Sequence, residues 1–399
     1  MAKTIIYCAD GTWNGAGVDS IAEFEFDKVQ RTNVRRIFEL LEGVDLPERS
    51  IFNVPLGLHR DEKALRDNDG RPIQVAMYCH GVGANRINPV QEYPLGGVLG
   101  GGVTTRLRLG YAYISSHYQP GDRIVIVGFS RGAYTARALA DLIVHEGLLR
   151  PDLATRHAAL SRAAAAWLNY RTSATAGPGH GRRIDRIVEK LGEDVHRAFL
   201  DALGLRGGNG DFVRGIKVDV LAVFDTVGAM GVPDIVQGTR VDDFEFVSTT
   251  LDPNIGLAFS AVSLDEERLN FPPTFWETPD ERLTQMLFAG AHSDVGGGYP
   301  DHDLADCVLE WMVGKLKNEV AIKDPGTQPD FSPVPVGLAH RPWLKEPLRP
   351  FAKRRSFPDN LFYLSKQAAD RMNADKVPLE QSEGVSSVKY DPEPLPCLL

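Results

Sequence analysis

Residues 123–143 read RIVIVGFSRGAYTARALADLI and carry the strongest structural signal of the chain. The apolar run Arg123–Val127 predicts a buried strand, and the apolar spacing over Ala133–Leu148 predicts a helix with one buried face. The segment GFSRG at 128–132 joins them directly, in the strand–turn–helix context of a G-x-S-x-G nucleophile elbow. So tight a turn leaves no room for side chains at its two glycines and raises Ser130 above the sheet. We therefore predict Ser130 as a nucleophile.

A purely structural interpretation of Ser130 is the alternative. The chain contains 39 glycines, and with that composition about 0.2 matches to a bare G-x-S-x-G pattern arise by chance. In this interpretation the segment is a glycine-rich strand–helix turn, and the serine only caps the helix. An acid and a base in suitable places elsewhere in the chain would favour the catalytic interpretation.

Four further runs of continuous hydrophobicity predict strands of the same sheet. Continuous rather than alternating hydrophobicity is typical of parallel strands that are covered on both faces. Helical patterns between these runs supply the covering layers, so we predict a doubly wound, mostly parallel α/β sheet of the α/β-hydrolase type. The predicted strands are Thr4–Ala9, Ile73–Cys79, Val218–Phe224 and Gln285–Ala289, and the further helices are Asn33–Leu41 and Thr104–His117.

The remaining segments are expected to decorate a single domain that spans residues 1–399. Residues 15–32 and 43–72 are predicted to be loops or decorations around the first unit. The insert at 151–215 is rich in Ala, Arg and Gly, and we expect it to form a helical cap that covers the pocket and selects the substrate. The Pro-rich residues 320–399 are expected to pack on the core as an extension. Helices are predicted at His157–Tyr170 and Ile184–Leu203 in the insert and at Asn360–Asn373 in the extension.

The composition argues against several classes of partner. Lys and Arg total 44 against 53 for Asp and Glu, and this net charge of -9 does not suit a nucleic-acid-binding surface. The four cysteines are far apart, so neither a disulfide framework nor a metal site is predicted, and no cofactor is expected. The apolar runs of the sequence are short, so we expect neither a signal peptide nor a segment that spans a bilayer. We expect synthesis in the cytoplasm, with any export proceeding without a cleaved signal.

An acid and a base follow Ser130 in the chain order of the α/β hydrolases, Ser, Asp, His. Asp225 directly follows the predicted strand Val218–Phe224, at the edge where open α/β sheets place their ligands. His292, in the run AGAHSDVGGGY, would take the proton of Ser130 while Asp225 holds its tautomer. A structural cap is the other interpretation of Asp225. Asp294 is a competing acid, although its spacing better suits a local turn.

Backbone amides near Ser130 are candidates for an oxyanion hole. The amide of Arg131 lies at the start of the elbow helix, where a developing oxyanion would be held. The loop ADGTWN after the first strand is expected to supply a second donor, from Gly11 or Thr12. Asp10 is expected to order this loop through backbone hydrogen bonds or to pair with Arg131. His80 is a further pocket candidate, although a simple turn at the end of a strand is the favoured interpretation.

Two segments are similar to phosphate-handling motifs. The run DGT at 10–12 is similar to the DxDGT motif of haloacid-dehalogenase-like phosphotransferases, but Cys8 stands where those enzymes need their nucleophilic Asp. The run LGGVLGGGVTTR at 95–106 opens a helix, yet it lacks the Lys-Ser/Thr of a P-loop and does not match GxGxxG after a strand. We therefore favour close helix–sheet packing for this run over phosphate binding.

Several motifs occur in order over roughly residues 3–300: DGTWN, GVG, the glycine-rich helix entry, YQPGDRIVIVGFSRGAYTARALA, FDTVGAMG, SLDEERLNFPP and HSDVGGGY. Through these motifs the chain resembles one α/β-hydrolase family. This family was once called a domain of unknown function (DUF 2235), and it is now described as the catalytic domain of type VI secretion phospholipase effectors. The resemblance implies that Ser130, Asp225 and His292 match the family's triad.

Charged side chains near these motifs have two interpretations. Asp265, Glu266 and Arg268 lie in SLDEERLNFPP, and we expect them to order the histidine loop through ion pairs rather than to contact substrate. Arg131 and Arg137 lie beside the nucleophile and could meet a phosphate head group. Ion pairing within the fold is the favoured interpretation for both arginines.

We predict a serine carboxylic-ester hydrolase. The resemblance implies that it cleaves acyl esters of phospholipids, as a phospholipase A or lipase does, with peripheral membrane contact, a secretion-system or immunity partner, and export by a type VI-like system. Two alternatives stay open: a cytosolic esterase or thioesterase that acts on a soluble acyl substrate, and a catalytically silent hydrolase fold that serves as a binding module. A polar, narrow pocket would favour the first alternative, and a full biological effect of Ser130→Ala would favour the second.

Overall fold

The computed structural model of the chain describes residues 2–11, 31–47, 60–81, 101–154, 159–172, 210–228, 247–269, 271–344, 352–392 and 395–399. The strands in these ranges are β1 (Thr4–Ala9), β2 (Val44–Leu46), β3 (Arg60–Arg66), β4 (Pro72–Cys79), β5 (Arg123–Phe129), β6 (Leu148–Leu149), β7 (Phe212–Val213), β8 (Val218–Phe224), β9 (Ile255–Ser263), β10 (Leu283–Phe288), β11 (Tyr363–Leu364), β12 (Val377–Glu380) and β13 (Val385–Val388). The helices are α1 (Asn33–Leu40), α2 (Gly101–His117), α3 (Arg131–Glu146), α4 (Pro151–Ala154), α5 (Ala159–Thr172), α6 (His292–Gly296), α7 (Asp303–Leu316) and α8 (Lys366–Asn373).

Most of these strands form one nine-stranded sheet in the spatial order β11-β10-β9-β8-β5-β1-β4-β3-β2. The strands from β11 to β4 pair in parallel, whereas β3 and β2 extend one edge in antiparallel pairing. The side chains of β1, β5 and β8 are buried almost throughout, as expected for parallel strands covered on both faces. The predicted α/β class with a mostly parallel sheet is confirmed.

Apolar layers cover both faces of the sheet. On one face, Ile5 and Tyr7 of β1 pack with buried side chains of α2 and α3. On the other face, Ile6 and Cys8 pack with α1 and α7. Successive side chains of a strand point to opposite faces, so this division between odd and even positions shows that helices sandwich the sheet. The carboxyl ends of the parallel strands meet along one edge of this sandwich.

The predicted strands and helices of the core are confirmed with small differences at their ends. The segment 43–72, predicted to form loops or decorations, contains β2 and β3 as well as connecting residues. Both lie at the antiparallel edge of the sheet, where one face of a strand can stay polar. The sequence RDEKALR of β3 therefore lacks the continuous hydrophobicity that marks the central strands.

Strand β9 and helix α7 were not predicted. The strand sequence IGLAFSAVS contains small and polar residues, which weaken its hydrophobic pattern. In α7 the buried residues Leu304, Val308, Met312 and Leu316 recur every four positions, a helical spacing that was present in the sequence. The predicted helix Asn360–Asn373 begins later, with α8, because β11 precedes it and the hydroxyl of Ser365 caps its first turn.

The described part of the insert at 151–215 packs on the core. Trp167 and Tyr170 of α5 are buried in the same apolar cluster as α2 and α3, and Arg108 Nε of α2 donates to the carbonyl of Leu160, 2.9 Å away. The predicted helix His157–Tyr170 corresponds to α5, and the predicted helix at 184–203 lies outside the described residues. The role of the insert as a cap stays a prediction.

Residues of the C-terminal segment form a third apolar cluster with the sheet. Leu361, Phe362 and Val377 pack there against Val262 of β9 and Leu287 of β10. Strand β11 also pairs with β10 in parallel, so the segment adds a strand to the main sheet. These contacts bring residues beyond position 320 close to the strand ends from which β9 and β10 lead into the candidate site.

Within the described ranges, no helix is both long and apolar enough to cross a membrane. The longest of them, α2, has 17 residues and contains Arg106 and Arg108. In the same part of the chain, no group of three or more His, Cys, Asp or Glu side chains is arranged to hold a metal ion.

Candidate active site

Ser130 lies in the turn between β5 and α3 with a backbone conformation that is rare for a side-chain-bearing residue. Its φ is 58° and its ψ is -126°, a combination that costs energy unless the surroundings enforce it. The amide of Ser130 donates to the carbonyl of Phe224 at the end of β8, 3.0 Å away, and its carbonyl accepts from Tyr134 at 3.1 Å. These hydrogen bonds hold the serine at the carboxyl edge of the sheet.

The two glycines of the turn have no space for a side chain. A Cβ on Gly128 would lie 2.5 Å from the carbonyl oxygen of Gly132 and 2.7 Å from Cα of Ala133. A Cβ on Gly132 would overlap the carbonyl oxygen of Ala9 and lie 2.5 Å from that of Asp10. All of these are backbone atoms, which cannot move aside as the end of a flexible side chain can. The close approach of strand, turn and helix therefore depends on glycine at both positions.

We expect Gly132→Ala to lower the free energy of unfolding by about 2–3 kcal/mol, since the added methyl group must push two strand-end carbonyls apart. Gly314→Ala is the matched control. Gly314 lies in α7 with open space around its Cα, so alanine there should raise the free energy of unfolding by about 0.5–1 kcal/mol through helix propensity. Denaturant titration of both variants measures the difference, and equal effects would contradict this account of the elbow.

Asp225 and His292 are in direct contact beneath the same edge. Asp225 follows β8 with a φ of 36°, and its amide donates to the carbonyl of Ala261 at 2.7 Å. Its Oδ2 lies 2.5 Å from Nδ1 of His292, and its Oδ1 accepts from the amide of Ser263 at 2.9 Å. Asp225 and His292 are both buried. The sequence thus anticipated two residues, 67 positions apart, that the fold brings together.

Arg355 is a site residue that sequence reasoning missed. Its Nη1 donates to Oδ1 of Asp225 at 2.6 Å and its Nη2 to Oδ2 at 3.0 Å. Burial alone would raise the pKa of Asp225, but the charge of Arg355 and the hydrogen bond to His292 outweigh it and hold the pKa well below the usual range. Asp225 is therefore ionised at neutral pH. Arg355 lies in the run FAKRRSFPD, which contains no motif that marks it.

The ring of His292 is enclosed by aromatic side chains and fixed through its backbone. Phe129 and Phe271 lie beside it, with ring centroids 4.6 and 4.8 Å away, and its amide donates to Oε2 of Glu266 at 3.1 Å. Burial lowers the pKa of His292 even though Asp225 raises it, so the ring is neutral at pH 7. Its Nε2 is buried and has no hydrogen-bond partner among the described residues. A neutral imidazole with an unengaged Nε2 can accept a proton.

Glu266 is itself held by Arg268. Nε and Nη2 of Arg268 donate to the two carboxylate oxygens of Glu266, each at 2.8 Å, and the guanidinium lies 3.6 Å from the ring centroid of Phe271. The predicted role of these charges in ordering the histidine loop agrees with this geometry. Asp265 accepts from the amide of Gly290 at 2.6 Å, in the same loop.

The loop after β1 is ordered by the carboxylate of Asp10. Its Oδ1 accepts from the amide of Gly11 at 2.7 Å, and its Oδ2 accepts from the hydroxyls of Thr32, at 2.8 Å, and Tyr78. Burial raises the pKa of Asp10, although the hydrogen bonds from Tyr78 and Thr32 oppose this rise. The amide of Gly11, a predicted oxyanion donor, is thus engaged with Asp10 in this conformation. Thr12, the other candidate, lies outside the described residues.

His80 occupies a strand-end turn, as the favoured interpretation has it. Its carbonyl accepts from Nε of the buried Arg106 at 2.6 Å, and its ring packs edge-on against Tyr78 with centroids 4.9 Å apart. Nε2 of His80 lies 3.6 Å from Oδ2 of Asp61. The nearby His80 ring and the pairing with Arg35 lower the pKa of Asp61 to about 2. These contacts tie β4 to β3 and α1.

Asp294 contacts a different histidine from the one in the candidate site. Its Oδ1 lies 2.6 Å from Nδ1 of His340, and its Oδ2 accepts from the amides of His340 at 2.9 Å and Ala291 at 2.8 Å. Asp294 is the third residue of α6, where a carboxylate can satisfy amides that begin a helix. The local-turn interpretation of Asp294 thus agrees with the structure, whereas His292 takes Asp225 as its partner.

The Asp294–His340 pair should make stability depend on pH. Burial lowers the pKa of His340, but the hydrogen bond and charge of Asp294 raise it above the ordinary value. A raised histidine pKa contributes stability that is complete below the unfolded value and is lost as pH rises through the folded value. We expect His340→Gln to lower the free energy of unfolding by about 1–2 kcal/mol near pH 5.5, and by less near pH 9. Denaturant titrations at the two pH values test this, and equal losses would contradict it.

Arg137 is engaged by backbone groups of the fold. Its Nη1 donates to the carbonyl of Thr274 at 2.5 Å and its Nη2 to that of Ser248 at 2.6 Å. The guanidinium lies 3.8 Å from the ring centroid of Trp276, and burial lowers the pKa of Arg137 to about 10. Arg137 thus ties α3 to the segments before and after β9, and this agrees with the favoured interpretation that it acts within the fold.

Comparison with known proteins identifies similar sequences. The family described as "T6SS, Phospholipase effector Tle1-like, catalytic domain" matches residues 3–315, which confirms the resemblance carried by the motifs. An uncharacterized protein of Saccharomyces cerevisiae, YEL023C, is 22% identical over 281 residues, which are 67% of this chain and 32% of the yeast protein.

Two solved structures are also similar, at low identity. The structure of the Tle1 effector bound to the VgrG spike from the type 6 secretion system has a TM-score of 0.38 and 19% identity, over 75% of this chain and 52% of that one. The crystal structure of an uncharacterized protein from Pseudomonas aeruginosa has a TM-score of 0.40 and 16% identity, over 84% and 49% of the two chains. The chain thus spans about a third of the yeast relative and about half of each solved chain.

Proposed function

Because the chain belongs to the Tle1-like catalytic-domain family of type VI secretion phospholipase effectors, we propose that it is a serine hydrolase that cleaves acyl esters of phospholipids. One observation carries the serine-hydrolase part of this proposal. A buried, ionised Asp225 holds Nδ1 of His292, while Ser130 lies in a strained turn at the same edge of the sheet. An acid, a base and a nucleophile in these local environments are the components of a triad.

In the proposed reaction, Ser130 Oγ attacks the carbonyl carbon of the acyl ester and its proton passes to Nε2 of His292. Asp225 stabilises the imidazolium that results and keeps Nδ1 protonated. The tetrahedral intermediate collapses as His292 returns the proton to the departing alcohol oxygen, which leaves an acyl group on Ser130. A water molecule, deprotonated by His292, then releases the fatty acid and restores the serine.

The oxyanion would be held by backbone amides near the elbow. Arg131 supplies one amide, at the start of α3. The second amide comes from the loop after β1, either from Thr12 or from Gly11 after it leaves the carboxylate of Asp10. In the second case, the amide of Gly11 would exchange its hydrogen bond to Asp10 for one to the oxyanion. The oxyanion hole would then be complete only when substrate is bound.

Family membership supports the choice of a phospholipid substrate and of delivery by a type VI secretion system. We propose on the same ground that a component of the secretion machinery binds the chain and that an immunity protein opposes it. The three residues of the proposed triad do not by themselves select the acyl substrate, because a thioester or a soluble short-chain ester would meet the same three residues. The experiment below separates these substrates.

Free fatty acid release from mixed phospholipid vesicles tests the proposal. Wild-type protein and Ser130→Ala are compared on the vesicles, with a soluble short-chain ester and an acyl thioester in parallel. Release from vesicles by wild type alone would support a Ser130-dependent phospholipase. Cleavage of only the soluble substrates would keep the serine hydrolase and reject the lipid substrate. Equal rates for wild type and Ser130→Ala on every substrate would reject Ser130 as the nucleophile.

A further inference from the structure

Four contacts connect the acid–base half of the site to residues beyond the family match, which ends at residue 315. In each of the four, a side chain of the C-terminal segment shares a hydrogen bond with the loops that carry Asp225 and His292 or with side chains that support those loops. They join Arg355 to Asp225, His340 to Asp294, Gln367 to Ala289 and Tyr390 to Asp265. Arg355 alone among these four touches a residue of the proposed triad.

The side chain of Arg355 is an internal part of the site and not a surface contact. Its side chain is almost completely buried, as is the carboxylate of Asp225. Besides the two bonds to Asp225, Nη1 donates to the carbonyl of Ser263 at 3.0 Å and Nη2 to that of Phe271 at 3.0 Å. These four acceptors fix the plane of the guanidinium, and the guanidinium in turn fixes the plane of the carboxylate, because a paired fork of donors matches both oxygens.

The carboxylate of Asp225 has a full set of partners. Oδ1 accepts from Ser263 and Arg355, and Oδ2 meets His292 and Arg355. Without Arg355, rotation of the carboxylate would be opposed only by one amide and by His292 itself. The carboxylate oxygen that accepts from Nδ1 of His292 would then no longer be fixed in direction. The imidazole would lose the orientation that general-base catalysis requires.

The charges around His292 also balance with Arg355 present. Among the described residues, the carboxylates of Asp225 and Glu266 contact His292, and each is paired with one arginine, Arg355 and Arg268 respectively. Phe129 and Phe271 lie beside the ring as uncharged neighbours. Loss of the positive charge at position 355 would leave an excess negative charge beside the ring. An excess negative charge favours the imidazolium over the neutral base.

On the premise of the proposed hydrolase function, we propose that Arg355 is a positioning residue of the site, which fixes the carboxylate of Asp225 and offsets its charge at His292. It touches neither substrate nor the reacting atoms. A merely structural arginine would instead tie the C-terminal segment to the core and leave the protonation of His292 unchanged. The free energy of unfolding does not distinguish these roles, because replacing Arg355 removes the same buried hydrogen bonds in either case.

Three variants separate the roles. Arg355→Lys keeps the charge and loses the fork of donors, and Arg355→Gln loses both. Arg354→Gln is the matched control, since it removes the same charge from the adjacent residue, whose side chain is 62% exposed and pairs with Glu267. Two quantities are measured for each: the pH dependence of kcat on the ester substrate, and the pKa of His292 from NMR of 13C-labelled histidine, assigned with His292→Ala.

For Arg355→Gln we expect the acid limb of the rate profile and the pKa of His292 to move to higher pH by about one pH unit. For Arg355→Lys we expect both to stay near the wild-type values while kcat falls by between about tenfold and a hundredfold. Arg354→Gln should match wild type in both. A folded Arg355→Gln variant with an unchanged pKa for His292 would overturn the proposal.

Two further outcomes are also decisive. If Arg355→Gln does not fold, Arg355→Lys carries the test, and an unchanged kcat there would overturn the proposal. If the wild-type protein hydrolyses no ester, the proposed function fails, but the NMR titration needs no turnover and still compares His292 in wild type, Arg355→Gln and Arg354→Gln. Failure of the function and failure of the role of Arg355 therefore give different results.

Discussion

Replacing His292 with alanine is expected to lower kcat for ester hydrolysis by about a million-fold, because loss of the base leaves a serine that cannot be deprotonated. The fold should survive, since Asp225 keeps its two bonds from Arg355 and one from Ser263. Stopped assays with high enzyme concentration and long incubation can follow the residual rate. Circular dichroism and a denaturant titration establish that the variant is folded.

His340→Ala is the matched control for this prediction. His340 also pairs with an aspartate, at 2.6 Å, and its side chain is 14% exposed, but its partner Asp294 belongs to the turn that begins α6. We expect the loss of His340 to change kcat by less than about tenfold, because His340 stabilises the loop that carries His292 and takes no part in the proton transfer. A larger loss of kcat in His340→Ala than in His292→Ala would assign the base to the other pair and refute the triad.

Asp225→Asn is expected to lower kcat by about ten-thousand-fold, since an amide at this position can leave Nδ1 unprotonated and so remove the acceptor at Nε2. It should also lower the free energy of unfolding by about 3–5 kcal/mol, because the buried Arg355 loses its counter-ion. The two effects have different causes, and a double variant separates them. Assays of kcat and denaturant titrations are made on the single and double variants together.

Combining Asp225→Asn with Arg355→Gln should restore much of the lost stability, because no uncompensated charge stays buried. Activity should not return, since the tautomer of His292 is still wrong. Asp294→Asn controls for the removal of a buried carboxylate near the same loop, and we expect it to keep kcat within about tenfold of wild type. Recovery of activity in the double variant would show that Asp225 serves only to neutralise Arg355.

The residues of the proposed triad could be predicted because the sequence around each of them carries a recognisable signal. Ser130 follows a buried strand in a glycine-bounded turn, and Asp225 and His292 follow two more strands of the same parallel sheet. Parallel strands bring their carboxyl ends to one edge of the sheet. Residues that directly follow different strands are therefore expected to lie close together. The pairing of Asp225 with His292 needed no knowledge of the loops between them.

Arg355 could not be predicted in this way. It is 130 positions from Asp225 and lies outside any strand, helix or motif, so nothing local distinguishes it from Arg354 beside it. Its role arises only when the C-terminal segment packs on β9 and β10, which is a property of tertiary structure. Asp10 differs from Arg355 in this respect: it is expected from the sequence to order the loop after β1 through backbone hydrogen bonds, and its bond from the amide of its neighbour Gly11 agrees with that expectation.

The position of Arg355 also sets the order in which the site can be completed during translation. The turn at Ser130 and the strands from β1 to β5 are synthesised first, whereas a domain generally folds as a unit. Asp225 receives its counter-ion only after more than two hundred further residues beyond Ser130 have been added, on the order of ten seconds or more at ordinary elongation rates. Until then the carboxylate lacks its guanidinium partner and His292 its final orientation. A nascent chain therefore carries its nucleophile well before it can use it.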